Sequence, residues 1–222
     1  NPNLKPQQTR SFEAGWQKRS GQTYYLATVY YRQSTGGISD VVRDLGNGVF
    51  LTTRENLNKS RSGGADLVAN GRLTKTLTYN VSSNIFWNQI DASTIGVAAT
   101  RSAWTVGGRA NLNWQASPKD FLQLNAFANG KRLTAQGYQA GFGTLNLGYR
   151  RKVSDRLSLI AFASDVLGTA RQKTIIDTPT LQGATLRRPV QRGAFIGLTW
   201  AFGAVQRQRD NGFEFGGEGA PE

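Results

Sequence analysis

Cysteine, histidine and methionine are all absent from this sequence. Without thiolate or imidazole there is no disulfide framework, no Cys/His metal site and no catalytic arrangement that depends on either group. Carboxylates are scarce as well: 14 Asp and Glu stand against 27 Lys and Arg, a formal net charge of +13. No run of 18 apolar residues occurs, so no transmembrane helix is expected. That leaves strands open as a way to cross a membrane, since a spanning strand needs only about 9–11 residues with every second one apolar. The chain begins at Asn1 without an initiator Met or a leader pattern, and the expectation is that it is part of a longer protein.

What is present is a period of two. From Trp104 to Ser117, the residues Trp104, Val106, Gly108, Ala110, Leu112, Trp114 and Ala116 fall on one face, opposite Thr105, Gly107, Arg109, Asn111, Asn113, Gln115 and Ser117. Leu77, Tyr79, Val81, Ile85 and Trp87 alternate in the same way with Thr78, Asn80, Ser82, Asn84 and Asn88. So do Ala194, Ile196, Leu198, Trp200 and Phe202 against Phe195, Gly197, Thr199 and Ala201. No stretch carries a sustained helical apolar stripe. The pattern predicts about nine strands, at 9–18, 23–33, 61–74, 77–90, 102–117, 120–133, 141–152, 156–167 and 192–203. The facing of 23–33 and 156–167 is ambiguous, because apolar residues lie on both sides.

Connections alternate in length. The short ones are 18–21, 74–76, 117–120 and 153–156; the long ones are roughly 34–60, 91–101, 134–140 and 168–191. An up-and-down antiparallel meander gives this alternation directly, with tight turns at one end and long loops at the other. After residue 203 the composition turns Gly-rich and acidic, which predicts a disordered tail over 204–222, on the periplasmic side.

A soluble β-sandwich also alternates. Strand length, aromatic placement and the polar face favour a barrel in lipid. About 11 residues at roughly 3.3 Å each, tilted by about 45°, project to about 25 Å, the height of an outer-membrane apolar band. Trp16, Tyr79, Trp87, Trp104, Trp114, Tyr149, Trp200 and Phe202 sit near the ends of apolar faces, where interface girdles belong. Arg72, Asn80, Asn84, Arg109, Asn111 and Asn113 fall on the face a water-filled lumen would present. A membrane sheet must close, and bacterial single-chain barrels have even strand numbers. Nine strands therefore predict further strands elsewhere in the parent chain.

Several segments resemble the barrel of TonB-dependent outer-membrane receptors. The opening Asn1-Pro2-Asn3-Leu4-Lys5-Pro6-Gln7-Gln8, followed by Phe12-Glu13-Ala14-Gly15-Trp16, is similar to their NPxLKPE…ExG segment, with Gln7 in place of the usual Glu. Gly48-Val49-Phe50, Thr52-Thr53-Arg54-Glu55-Asn56-Leu57 and Lys59-Ser60-Arg61-Ser62-Gly63-Gly64 resemble a loop-and-strand block of one outer-membrane β-barrel branch. Ser164-Asp165-Val166-Leu167-Gly168-Thr169 resembles its penultimate strand, and Leu198-Thr199-Trp200-Ala201-Phe202-Gly203 its terminal one. The resemblance spans nearly all of residues 1–203. It implies the C-terminal portion of a 22-stranded transmembrane barrel in the bacterial outer membrane. It also implies energised uptake of a scarce ligand such as a ferric siderophore. The partners it implies are TonB through a region N-terminal to this chain, the plug and remaining strands of the same parent, and the barrel-assembly machinery through the last strand.

Catalysis is not expected, because no carboxylate pair stands at a catalytic spacing; no cofactor is expected either. The Gly pairs at 36–37, 63–64 and 107–108 precede no helix and read as points of bending or close packing. Basic residues collect at two rims, Lys18, Arg19, Lys75, Lys119, Arg150, Arg151, Lys152 and Arg156 at the short-turn end and Arg171, Lys173, Arg187, Arg188 and Arg192 in the last long loop. Rim placement suits solubilisation, lipopolysaccharide or an anionic ligand at Arg171, Lys173, Arg187 and Arg188 rather than a nucleic-acid platform. A passive porin or structural barrel, and a soluble β-rich binding domain, remain alternatives at this point.

Overall fold

A computed structural model describes residues 1–97, 100–188 and 192–202. Nine strands form one antiparallel sheet: β1 (Gln8–Ser20), β2 (Thr23–Thr35), β5 (Lys59–Arg72), β6 (Leu77–Asp91), β7 (Arg101–Gln115), β8 (Asp120–Asn129), β11 (Phe142–Lys152), β12 (Leu157–Ser164) and β15 (Gly193–Trp200), each beside the next. The remaining strands lie inside the long connections: β3 (Ile38–Asp44) and β4 (Phe50–Asn56) between β2 and β5, β9 (Arg132–Thr134) and β10 (Gly137–Gln139) between β8 and β11, and β13 (Gln172–Asp177) and β14 (Gln182–Arg187) between β12 and β15. A 3-10 turn at Ser93–Ile95 lies between β6 and β7. Among the described residues β1 and β15 each pair on one side only, so the sheet is open, as part of a barrel is.

The nine expected strands are all present, with ends shifted by a few residues. The last stops at Trp200, after which the Ala201 N–H still donates to the Arg156 carbonyl at 2.8 Å. The expected tail at 204–222, and Gly203, lie outside the described residues.

The short connections share a device. Thr74, Ser117 and Ser154 each open a turn, and each hydroxyl accepts the N–H groups two and three residues on, at 3.0–3.3 Å. A hydroxyl that mimics a backbone turn stabilises a tight reversal without glycine. The first turn differs: between Ser20 and Thr23 only Gly21 and Gln22 intervene, and Gly21 has φ 57°. A positive φ at the first central residue is what a type II′ hairpin turn requires, and glycine adopts it without strain.

Register settles the ambiguous strands. Trp16 faces Ala27, which faces Leu67; Val29 faces Ala65, which faces Ile85. Tyr25, Ala27, Val29 and Tyr31 therefore join the apolar face, and Tyr24, Leu26, Thr28, Tyr30 and Arg32 the polar one. On the other side, Ala161 lies between Tyr149 and Ile196, so Leu157, Leu159, Ala161 and Ala163 are apolar-face residues.

Among the described residues most of the buried apolar core lies outside the nine-stranded sheet, which contributes Ile90 near the end of β6 and Phe121 in β8. The core cluster sits among the long connections, where Leu57, Ile90, Ala92, Val97 and Ala135 pack with Ile95 and Leu133. Val41, at 1 % exposure, is the most completely buried larger side chain. Large residues on the apolar face of the sheet are open instead: Phe12 is 70 % and Trp104 67 % exposed. A soluble sheet buries such a face.

Candidate functional site

Two faces and one crown carry the features that bear on function. On the apolar face, Trp87 and Trp104 are cross-strand partners, at the end of the sheet where the long connections leave. Tyr79, Trp114, Tyr149 and Trp200 lie toward the short-turn end, Tyr79 opposite Leu112 and Trp200 opposite Leu157. Trp16 shares this face near the β1–β2 turn. Phe202, 88 % exposed, lies two residues past the end of β15.

On the opposite face the register brings together all six of Arg72, Asn80, Asn84, Arg109, Asn111 and Asn113. Asn80 faces Asn111, Asn84 faces Gly107, and Arg72 faces Thr78, which faces Asn113. The structure adds residues that the alternation alone did not connect. Asn70, Asn80, Asn111, Asn125 and Asn146 form one cross-strand row over five strands. Asn125 Nδ2 donates to Asn111 Oδ1, and Asn146 Nδ2 donates to Asn125 Oδ1 at 3.3 Å. Asn146 Oδ1 accepts the Asp165 N–H at 2.9 Å, which joins the row to the start of the last long connection. Each Asn has the right parity within its strand, but only the strand register aligns all five. The Arg109 guanidinium stacks over Phe127 at 5.3 Å on this same face.

Gly107 shows why glycine belongs there. A Cβ at that position would lie 2.5 Å from Asn84 Oδ1, so the missing side chain makes room for the Asn84 amide.

The long connections meet at one end of the sheet. β14, β13, β10 and β9 form a second, four-stranded sheet that joins the last connection to the third. Gln136 is buried, and its amide bonds both backbone groups of Val42 in the β3–β4 hairpin, while its own carbonyl accepts the Asp177 N–H. Arg101 donates to the Asp177 carbonyl at 2.9 Å. The N-terminal segment is tied in as well, since Asn56 Oδ1 accepts the Lys5 N–H and its Nδ2 donates to the Lys5 carbonyl. Within the hairpin Arg43 makes two hydrogen bonds to Glu55 at 2.7 and 2.8 Å, and this pairing raises the guanidinium pKa above its ordinary value. The expectation of four plain loops is thus corrected: three of them fold into strands, because their polar backbone groups find partners in one another.

Arg171, Lys173, Arg187 and Arg188 are all exposed on this crown. They do not form one cluster. Gln172 faces Arg187 and Lys173 faces Leu186, so Lys173 and Arg187 point to opposite sides of the β13–β14 hairpin. At the short-turn end the Asp155 carboxyl is held below its usual range by the hydrogen bond from Lys152, 2.8 Å away. No group of three metal-ligating side chains is found among the described residues.

The model of the outer membrane protein beta-barrel family matches residues 1–200. The chain belongs to that family. Membership places this sheet in the bacterial outer membrane. Two solved structures share the fold. The copper transporter OprC aligns with a TM-score of 0.62 at 16% identity, over 90% of this chain and 33% of that one. The ferric enterobactin receptor PfeA of Pseudomonas aeruginosa aligns with a TM-score of 0.50 at 17% identity, over 91% of this chain and 32% of that one. The chain thus spans about a third of either. No curated protein matches it.

Proposed function

We propose that this family member is the C-terminal part of the barrel of a TonB-dependent receptor, which takes up a scarce ligand such as a ferric siderophore in an energised step. The observation that carries the reading is the crown. Three connections and the N-terminal segment are tied together by the amides of buried Gln136 and half-buried Asn56 at one end of the sheet, a shared platform rather than separate solubilising loops. Such a platform suits capture of a large ligand before it enters a lumen. Likeness to a copper transporter and a ferric enterobactin receptor supports the transporter class.

In this reading residues 1–203 are barrel and 204–222 a periplasmic tail. Trp16, Tyr79, Trp87, Trp104, Trp114, Tyr149, Trp200 and Phe202 sit at the lipid–water interfaces. Arg72, Asn80, Asn84, Arg109, Asn111 and Asn113 line the lumen. Arg171, Lys173, Arg187 and Arg188, spread over both sides of the β13–β14 hairpin, offer an anionic ligand separate cationic contacts rather than one cluster. TonB engages a region N-terminal to this chain, lipopolysaccharide surrounds the outer rim, and the barrel-assembly machinery binds the last strand.

The test is uptake of radiolabelled iron from a panel of ferric siderophores by cells carrying the full-length parent, with and without TonB. Accumulation that requires both the parent and TonB supports the reading. Accumulation that requires the parent but is equal without TonB replaces it with a passive pore.

A further inference from the structure

The rows of the apolar face change character near the crown. The last aromatic row runs Phe12, Tyr31, Gly63, Trp87, Trp104 across five strands. The next row toward the crown is wholly polar: Arg10, Gln33, Arg61, Gln89 and Ser102, in the same strands and on the same face. One step further, Lys59 faces Asp91. Lys59, Arg61, Gln89, Asp91 and Thr100 line a pocket of about 280 Å³ on this face.

The charges of that pocket do not cancel. Asp91 is engaged by the connection that leaves β6, where its carboxylate accepts from Asn58 Nδ2 at 2.6 Å and from the Ser93 N–H at 3.1 Å. Among the described residues neither Lys59 nor Arg61 forms an ion pair. At the other rim of the same face Lys18 is likewise without an ion pair among the described residues, but Arg151 has a carboxylate partner. There Arg151 lies 3.3 Å from Asp120, which also accepts from the Tyr149 hydroxyl at 2.6 Å. Two cations and one carboxylate thus stand just beyond an aromatic row at the crown rim, and the pocket keeps a net positive charge.

We propose that this pocket binds the phosphate of a lipid headgroup in the outer leaflet, the lipid A part of lipopolysaccharide. An aromatic row marks the edge of the hydrocarbon, so side chains one row beyond it stand at headgroup level. Lys and Arg stems lie along apolar surface while their charged ends reach polar groups, and each cation near an anionic surface strengthens binding. Arg61 offers paired N–H donors to phosphate oxygens and Lys59 a point charge. Gln89 and Thr100 supply neutral donors. The Trp87–Trp104 pair below gives the acyl chains an apolar seat that free phosphate has no use for. The inference rests on the long connections facing the cell exterior, and not on energised uptake.

The test uses the full-length parent in detergent, folded by the criterion of heat-modifiable gel mobility. Bisphosphorylated lipid A, the same lipid with both phosphates removed, and inorganic phosphate are the probes. The Lys59→Gln/Arg61→Gln variant should bind bisphosphorylated lipid A about thirtyfold more weakly, as expected for two lost headgroup-level cations. Arg151→Gln/Lys152→Gln, which removes the same charge at the opposite rim, should leave affinity unchanged. The dephosphorylated lipid should bind weakly to both, and inorganic phosphate should not displace lipid A. Arg61→Lys should restore most of the binding lost in Arg61→Gln, which separates charge from a folding defect. Unchanged affinity in the first variant, an equal loss in the opposite-rim variant, or displacement by inorganic phosphate overturns the proposal. Iron uptake is not read, so its TonB dependence stands or falls separately.

Discussion

Gln136 holds Val42 at both ends of its amide: Nε2 donates to the Val42 carbonyl at 2.9 Å, and Oε1 accepts the Val42 N–H at 2.7 Å. The two residues are 94 positions apart. One side chain thus substitutes for a strand partner and joins the β3–β4 hairpin to the β9–β10 turn. Gln136→Ala removes both bonds in a buried setting, where an unsatisfied backbone group costs about 1–3 kcal/mol. Amide exchange in 38–44 and 172–177 should accelerate while the strands of the nine-stranded sheet keep their protection. Unchanged exchange in both crown segments would show that the hairpin is held by something else.

The two faces of β6 and β7 should differ sharply. Leu112 lies between Tyr79 and Leu124 on the apolar face, and Asn113 between Thr78 and Gln123 on the polar one. In the parent Val81→Arg, between the Tyr79 and Trp87 rows of the same apolar face, should cost roughly 2–4 kcal/mol of stability in lipid, and Leu112→Arg, level with Tyr79, less. Asn113→Arg should cost much less. Denaturant unfolding in phospholipid vesicles measures all three. Equal costs on the two faces would argue against water on the polar side.

The nine-stranded sheet was legible because alternation in a spanning strand is imposed twice, by lipid on one face and by polar groups on the other. Trp104 to Gln115 shows this without ambiguity. Thr23 to Thr35 does not, since Tyr24, Leu26 and Tyr30 put apolar bulk on the polar side, and only register with Asn70, Val68 and Gly64 resolves it. The crown was illegible for a different reason. Its strands are as short as three residues, at Arg132–Thr134 and Gly137–Gln139, too short to show a period. Their order is set by contacts such as Gln136 with Val42, which local sequence does not encode.

Asp165 organises the start of the last long connection. It is 5 % exposed and has φ 43°, and its carboxylate accepts the N–H groups of Thr169 at 3.0 Å and Ala170 at 3.2 Å. Ala170 is buried, so its N–H has no easy recourse to water once the carboxylate is gone. Asp165→Ala should destabilise the connection by about 1–3 kcal/mol through the lost acceptors. Asp165→Gly tolerates the positive φ but lacks the carboxylate, so it should still fail to protect Thr169 and Ala170 from exchange. If Asp165→Gly behaves as the unsubstituted protein, the backbone conformation and not the carboxylate is what matters.

The ends of the sheet should face opposite compartments. Epitope tags inserted at Asn47, in the tip of the β3–β4 hairpin, and at Pro179, in the β13–β14 turn, should be labelled on intact cells. A tag beside Gly21 should be reached only after the outer membrane is permeabilised, because short turns lie on the periplasmic side of such barrels. The reverse pattern would invert the topology and remove the outer-leaflet placement of Lys59 and Arg61.

The last prediction concerns the free edge of β15. Its eight residues pair with β12 from Ser164↔Gly193 to Leu157↔Trp200, and among the described residues nothing pairs with its other side. In hydrocarbon an unpaired edge is not viable, so in the parent this edge must meet another strand. Deleting 193–202 should therefore abolish membrane assembly. Phe202 stands just beyond the paired residues with its ring fully presented, where an aromatic can anchor the periplasmic rim or be recognised during assembly. Phe202→Ala should slow the appearance of the heat-modifiable form in a pulse-chase without changing its final yield. Deletion of 204–222, which has no alternating pattern, should leave the rate unchanged. A lethal tail deletion together with a silent Phe202→Ala would mean that the assembly signal lies past the strand, and the closing role of β15 would have to be reassigned.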